Sequence, residues 1–347
     1  MAISIEDFGE LDGHKIELFT LTNANKVEVK ITNYGGIITS IKTPDKDGEL
    51  DNIVLGFDSF KEYLSEQYLD SYPYFGCIIG RVANRTANGR FKIDGVKHQV
   101  SLNKGTFQLH GGHEGFDKKV WNAELLENKN EIGVRLNYVS VDGEEGYPGN
   151  LNVIVEYTLN DQNELKVQYF AETDKTTSVN LTQHTYFNLG DETTIENHYL
   201  QLNSSEVMEV DSDILPTGNV LPIENTLFDF RKGKRIGDDI HKLEHGYDHT
   251  YNLHNDKEEL IKIAELSEKK QGRKMEVYST GVSTQIYTGF WNPELQVNGT
   301  KKFGKFSGVA IETQHFPDAI NQPNFKTTVL KPEEKYEQTT IFKFSSI

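Results

Sequence analysis

Apolar and polar residues alternate with period two along much of the chain. Val134, Leu136 and Tyr138 share one face of a stretch whose Arg135 and Asn137 point the other way. Leu151, Val153, Val155 and Tyr157 repeat the pattern, as do Leu165, Val167, Tyr169 and Ala171. Successive side chains leave a strand on opposite faces, so this spacing predicts half-buried strands. Asp142-Gly143, Tyr147-Pro148-Gly149 and Asn160-Asp161 stand between them and suit turns, which predicts an antiparallel meander. Further strands are expected over 27–32, 36–42, 53–55, 179–186, 198–203, 274–278, 284–288, 308–314 and 338–344. Helical periodicity is confined to 58–66, with Asp58 or Ser59 as N-cap, and to 235–243. Many strands and few short helices predict an all-β chain, a large antiparallel β-sandwich whose inner faces form the core. No fixed-period repeat marks a propeller. No linker or composition shift divides the chain, so one domain over residues 1–347 is expected.

Composition narrows the chemistry. The apolar fraction is only 36%, but 19 Phe and 16 Tyr supply bulky core material for a chain of 347 residues. The 36 basic side chains against 53 acidic ones leave a formal charge of −17. Nucleic-acid backbones and anionic membranes are disfavoured as partners by that charge, and a neutral or cationic small ligand fits better. Cys77 is the sole cysteine, which excludes an intramolecular disulfide and a cysteine-rich zinc site. The start MAISIEDFGE has neither a basic nor an apolar leader region, and no apolar run approaches the ~18 residues of a membrane span. A cytoplasmic protein is therefore expected, in which the sequons at Asn84, Asn180, Asn203 and Asn298 are incidental.

Two strands carry candidate chemistry. In 179–186, Val179 and Leu181 share one face, while Asn180, Thr182, His184 and Tyr186 share the other. That polar face reads either as a ligand surface or as a structural histidine on a solvated sheet. In 308–314, Val309 and Ile311 oppose Ala310, Glu312 and Gln314. A carboxylate there is costly to bury unless paired or used; otherwise it is an edge-strand charge that discourages aggregation. Three arginines, Arg81, Arg85 and Arg90, fall within 80–90. His110 and His113 flank Gly111-Gly112, whose bare backbone permits close approach to a ligand. His245-Gly246-Tyr247-Asp248-His249 places a carboxylate in a turn. The spacings of His110/His113 and His241/His245/His249 invite a metal, but H-E-x-x-H and nearby cysteines are absent, as are phosphate-loop and dinucleotide signatures. No metal and no cofactor are expected.

In order, GRVANR at 80–85 with NGRF at 88–91, LHGG at 109–112, TQHTYFNL at 182–189, Tyr247-Asp248, QIYT at 285–288 and IETQHFPDA at 311–319 resemble the galactose mutarotase (aldose 1-epimerase) family. The resemblance runs from about residue 10 to the end. It implies a mutarotase-like supersandwich with the sugar in an open cleft on one sheet, and interconversion of the α and β anomers of free aldoses without metal or organic cofactor. It further implies Glu312 as general base, His184 as general acid, and Arg85, His110, Asp248, Asn84 and Gln285 as sugar ligands. Gly111, Gly112, His113 and Tyr186 would shape the pocket. Gly289-Phe290-Trp291 departs from the family, which often has an asparagine there. Partners implied are a small aldose and, for the chain itself, a monomer or homodimer. Three rival readings remain: a hexose-6-phosphate epimerase suggested by the arginines, a non-catalytic carbohydrate-binding sandwich, and a glycoside hydrolase using Glu312 and Asp248.

Overall fold

The computed structural model describes residues 1–297 and 301–347, so Asn298 of the fourth sequon lies outside the described residues. Three antiparallel sheets dominate. The largest has nine strands and begins with four in chain order, Asn122–Glu127, Glu131–Ser140, Leu151–Asn160 and Glu164–Thr173, which form the expected meander. Tyr336–Ser346 then inserts beside the last of these and pairs onward with Arg273–Ser279. A six-stranded sheet runs Tyr186–Phe187, Val309–Gln314, Ser283–Tyr287, Asp248–Asn252, Glu206–Val210 and Pro216–Pro222. A five-stranded sheet takes the strands from Ala2–Leu11 to Leu50–Asn52 in sequence order. The all-β sandwich expected from the alternation is the architecture observed.

The alternating residues explain why these sheets stack. Leu151, Val153, Val155, Tyr157, Leu165 and Val167 are fully buried, and Tyr169 nearly so. They join Val309, Ile311 and Ile286 of the six-stranded sheet and Phe19, Val29 and Ile31 of the five-stranded one in a single core cluster. Phe187 and Phe342, on opposite sheets, meet at 5.1 Å between ring centroids. Burial of this apolar area, at roughly 25 cal/mol per Å², is the main force holding the layers together.

Three expectations need correction. The 179–186 stretch is not one strand: Thr177–Ser178, Thr182–Gln183 and Tyr186–Phe187 each pair with a different partner. Every residue from 177 to 187 is buried, so neither face is a solvated sheet surface and strict alternation has no solvent side to select. The 58–66 helix is two short ones, Phe60–Tyr63 and Glu66–Ser71; Ser59 sits at the first N-cap without a side-chain bond, and Ser65 Oγ caps the second. The expected 235–243 helix is a pair of single 3₁₀ turns, Ile236–Asp238 and Ile240–Lys242, broken at Asp239 with φ −132°; Ile236 and Gly237 donate their N–H groups to His198 and Glu196 of a neighbouring segment. Among the described residues, no helix is long and apolar enough to cross a membrane.

Candidate active site

Three adjacent strands of the six-stranded sheet present the floor of a cavity of about 460 Å³. Their register sets Glu312 directly opposite Gln285, and Gln285 opposite Thr250, with Asp248 two residues along. Val309–Gln314 is an interior strand, so the edge-strand explanation of Glu312 falls. Its Val309 and Ile311 fill the core while Glu312, 1% exposed, faces the cavity. Asp248 accepts from Gln285 Nε2 and from Arg85 Nη2, the latter at 3.3 Å. Thr250 Oγ1 donates to Gln285 Oε1 and so fixes which end of that amide faces Asp248.

Loops complete the site. His184 lies in the link between Thr182–Gln183 and Tyr186–Phe187, held by its own N–H donating to Cys77 O at 2.9 Å and by its carbonyl accepting from Gly76 N–H at 3.0 Å. Its Nε2 is 3.6 Å from Glu312 Oε1, too long for a hydrogen bond but adjacent across one face of the cavity. His110 follows the short strand Phe107–Leu109, whose Leu109 pairs with Arg85. Asn84 N–H donates to His110 Nδ1 at 3.2 Å, and Asn84 Oδ1 accepts from Arg85 Nη1 at 3.1 Å. Accepting at Nδ1 leaves the His110 proton on Nε2. All seven residues proposed from sequence, Glu312, His184, Arg85, His110, Asp248, Asn84 and Gln285, line this one cavity.

Burial sets the charges. His184 falls to about 4, with desolvation the main cause, and His110 is held well below its usual range by burial, then by His184 and Arg85. Glu312 rises well above the carboxylate range, first through burial and then through Asp248, against the pull of Arg85. The sequence suggested a carboxylate facing an imidazolium; burial instead favours a neutral Glu312 beside a neutral His184. A proton passing from Glu312 to His184 creates the charged form without changing the net charge of the pair.

Other expectations move. Arg81 is 2% exposed and donates to Ser140 Oγ, Thr177 Oγ1 and the carbonyls of Pro148 and Gly149, so it is a structural tie. Arg90 is exposed and bonds Gln99. Only Arg85 of the three reaches the cavity. The Gly111-Gly112 pair serves packing rather than ligand approach: a Cβ on Gly111 would meet Gly80 O at 1.9 Å. His113 is exposed and away from the cavity, whereas Tyr186 does line it. His241, His245 and His249 diverge, to Glu196, to the Phe290 and Trp291 rings, and to Asp248 N–H. Among the described residues, no three ligand-type side chains gather as a metal site.

Sequence reasoning missed the aromatic wall. Tyr74 sets its ring edge-on to His110 at 4.7 Å and lies 6.0 Å from His184; Tyr72 packs on Tyr74 at 4.7 Å. Both tyrosines have left-handed backbone, φ 36° and 59°, around Pro73. The Tyr-Pro-Tyr run was the available signal. Trp291, 58% exposed, stands at the rim.

A cleft on one sheet of a β-sandwich, with proton-transfer groups side by side and hydrogen-bond donors and acceptors suited to hydroxyls around them, defines a carbohydrate-handling enzyme. Residues 17–343 match the family model described as aldose 1-epimerase. The chain is 42% identical to galactose mutarotase of Rattus norvegicus over 97% of each chain, and 35% identical to aldose 1-epimerase of Escherichia coli K12 over 96% of each. The solved galactose 1-epimerase of Lactobacillus acidophilus NCFM superposes with a TM-score of 0.87 at 30% identity, covering 99% of both chains. The chain belongs to the aldose 1-epimerase family, and it is an isomerase that interconverts the anomers of aldoses.

Proposed function

We propose that this enzyme equilibrates the α and β anomers of free hexoses, D-galactose and D-glucose among them, with Glu312 as base and His184 as acid. The observation carrying this reading is the 3.6 Å approach of two buried titratable side chains on one wall of the cavity. Glu312, once ionised, takes the proton of the anomeric hydroxyl while protonated His184 gives one to the ring oxygen. The C1–O5 bond breaks, leaving an aldehyde at C1 and a hydroxyl at C5. Rotation about C1–C2 turns the other carbonyl face to that hydroxyl, which attacks and returns its proton to His184, while Glu312 returns its own to O1. Each positioned transfer supplies about 10²–10⁴ in rate.

Both anomers must fit, so binding falls on hydroxyls away from C1. Arg85 and the Nε2–H of His110 donate, Asp248 accepts, and the amides of Asn84 and Gln285 hold these groups or reach the sugar themselves. A charge of −17 suits a neutral ligand. One folding unit over 1–347, acting in the cytoplasm as a monomer or homodimer, completes the proposal. Polarimetry of freshly dissolved α-D-galactose, α-D-glucose and α-D-xylose tests it. Wild type accelerates the rotation change for the hexoses and His184→Asn does so at least about a hundredfold less; equal rates would remove His184 from the acid role.

A further inference from the structure

The tyrosine wall of the cavity has an anchor outside it. Tyr72 Oη donates to Asp117 Oδ2 at 2.7 Å. Asp117 belongs to the 3₁₀ turn Phe116–Lys118, is 1% exposed and lies outside the cavity lining. Its other oxygen, Oδ1, has no hydrogen-bond partner among the described residues. Burying a carboxyl with so little compensation is costly, and that burial lifts its pKa to about 6 against the pull of the Tyr72 hydroxyl. A leucine would fill the place with a smaller penalty if packing were the whole task.

The tether ends on a strained segment. Tyr72 closes the helix Glu66–Ser71 with φ 36°, and Tyr74 follows at φ 59°. Left-handed backbone costs such residues about 1–3 kcal/mol each and persists only where the surroundings over-determine it. Tyr72 is held by the Asp117 bond, by its own N–H donating to Tyr68 O at 2.8 Å, and by the Lys118 ammonium 4.6 Å from its ring. From there ring contacts run inward, edge-on from Tyr72 to Tyr74 at 4.7 Å and edge-on from Tyr74 to His110 at 4.7 Å. The bond from Asn84 N–H to His110 Nδ1 fixes one point of that imidazole but leaves the tilt of its plane free. An edge-on ring at this spacing limits the tilt.

We propose that Asp117 is a positioning residue for sugar binding. Through the Tyr72 hydroxyl it holds the Tyr72–Tyr74 wall, and with it the His110 ring, in the orientation that presents Nε2–H to a sugar hydroxyl. The proposal rests on the aldose reading of this cavity, with His110 as a ligand. It gives a task to a buried acid outside every motif that marks the family resemblance.

Tyr72→Phe tests it, since it removes the hydroxyl and leaves the ring. Its KM for D-galactose should rise about three- to tenfold, with kcat within about twofold of wild type. Asp117→Asn keeps an oxygen acceptor and should leave KM within about twofold, whereas Asp117→Leu removes the acceptor and should match Tyr72→Phe. In a His110→Ala background, Tyr72→Phe should change KM by less than about twofold, because the effects of coupled residues do not add. An unchanged KM in Tyr72→Phe or in Asp117→Leu would overturn the proposal. So would a full, independent rise in the His110→Ala background, which would show general loosening rather than a chain of contacts ending on His110. If Asp117→Leu does not fold, the Tyr72→Phe and His110→Ala pair decides alone. A wild type inactive on every aldose, or His110→Ala with wild-type KM, would instead sink the underlying reading, so the two failures are distinct.

Discussion

Glu312→Gln separates the demands of turnover from those of stability. The side chain is 1% exposed, its Oε2 has no partner among the described residues, and its pKa is raised well above the usual value by burial and by Asp248. A carboxyl whose pKa is higher folded than unfolded holds its proton more tightly in the folded state. Its contribution is therefore fully present below the unfolded value near 4.5, and is lost as pH rises through the folded one. Glutamine keeps the shape and does not titrate. Each pH unit of that difference corresponds to about 1.4 kcal/mol, and each kcal/mol to roughly 2 °C in a chain of this size. The variant should thus melt at least about 2 °C above wild type near pH 8, with the gap closing towards about pH 4.5. Its mutarotase turnover should fall at least about a hundredfold, equivalent to about 2.7 kcal/mol of barrier. Thermal melts across pH, paired with polarimetry on the same samples, measure both. A variant that melts lower at pH 8, or that keeps more than about a tenth of wild-type turnover, refutes the reasoning.

Further outcomes follow from the same groups. His184 and His198 are depressed to about 4 and about 3 by burial; imidazoles shifted this way lose their contribution as pH falls from about 6.5 through those values. The melting temperature of wild type should drop over that window, and His184→Asn should drop less steeply, as a pH series of melts would show. Arg81→Met, which takes the guanidinium away from the Pro148 and Gly149 carbonyls and from Ser140 Oγ, should cost about 3 kcal/mol in denaturant unfolding. Its kcat per folded molecule should stay within about twofold of wild type. Galactose 6-phosphate should turn over at least about tenfold more slowly than galactose in a parallel anomer assay, since a phosphate gains from paired arginines and only Arg85 of the three in 80–90 lines the cavity.

The meander and the sandwich were legible because strands such as Leu151–Asn160 bury one face, so period two is written into the residues. Glu312 stood out for a related reason: a carboxylate in an apolar strand needs a purpose. The stretch around His184 was misread as a strand because its residues are buried on all sides, and alternation carries information only when one side meets water. Arg81 and Arg85, four residues apart, looked equivalent; only tertiary contacts send one into the core and the other to Asp248. The tyrosine wall escaped notice because Tyr72 and Tyr74 reach the cavity through left-handed backbone, which no hydrophobic pattern records. The reversed protonation of Glu312 and His184 depends on depth of burial, a property of the assembled layers rather than of any motif.

The Val309–Gln314 strand has the main core on one side and the proposed base on the other. A mutation of Ile311 that shifts the strand by a fraction of an ångström would thus register as a change in reaction rate before it registered as unfolding. Anyone hardening this enzyme for heat would do well to spend substitutions on the outer surface of the nine-stranded sheet, where rigidity can be added without disturbing where the proton goes.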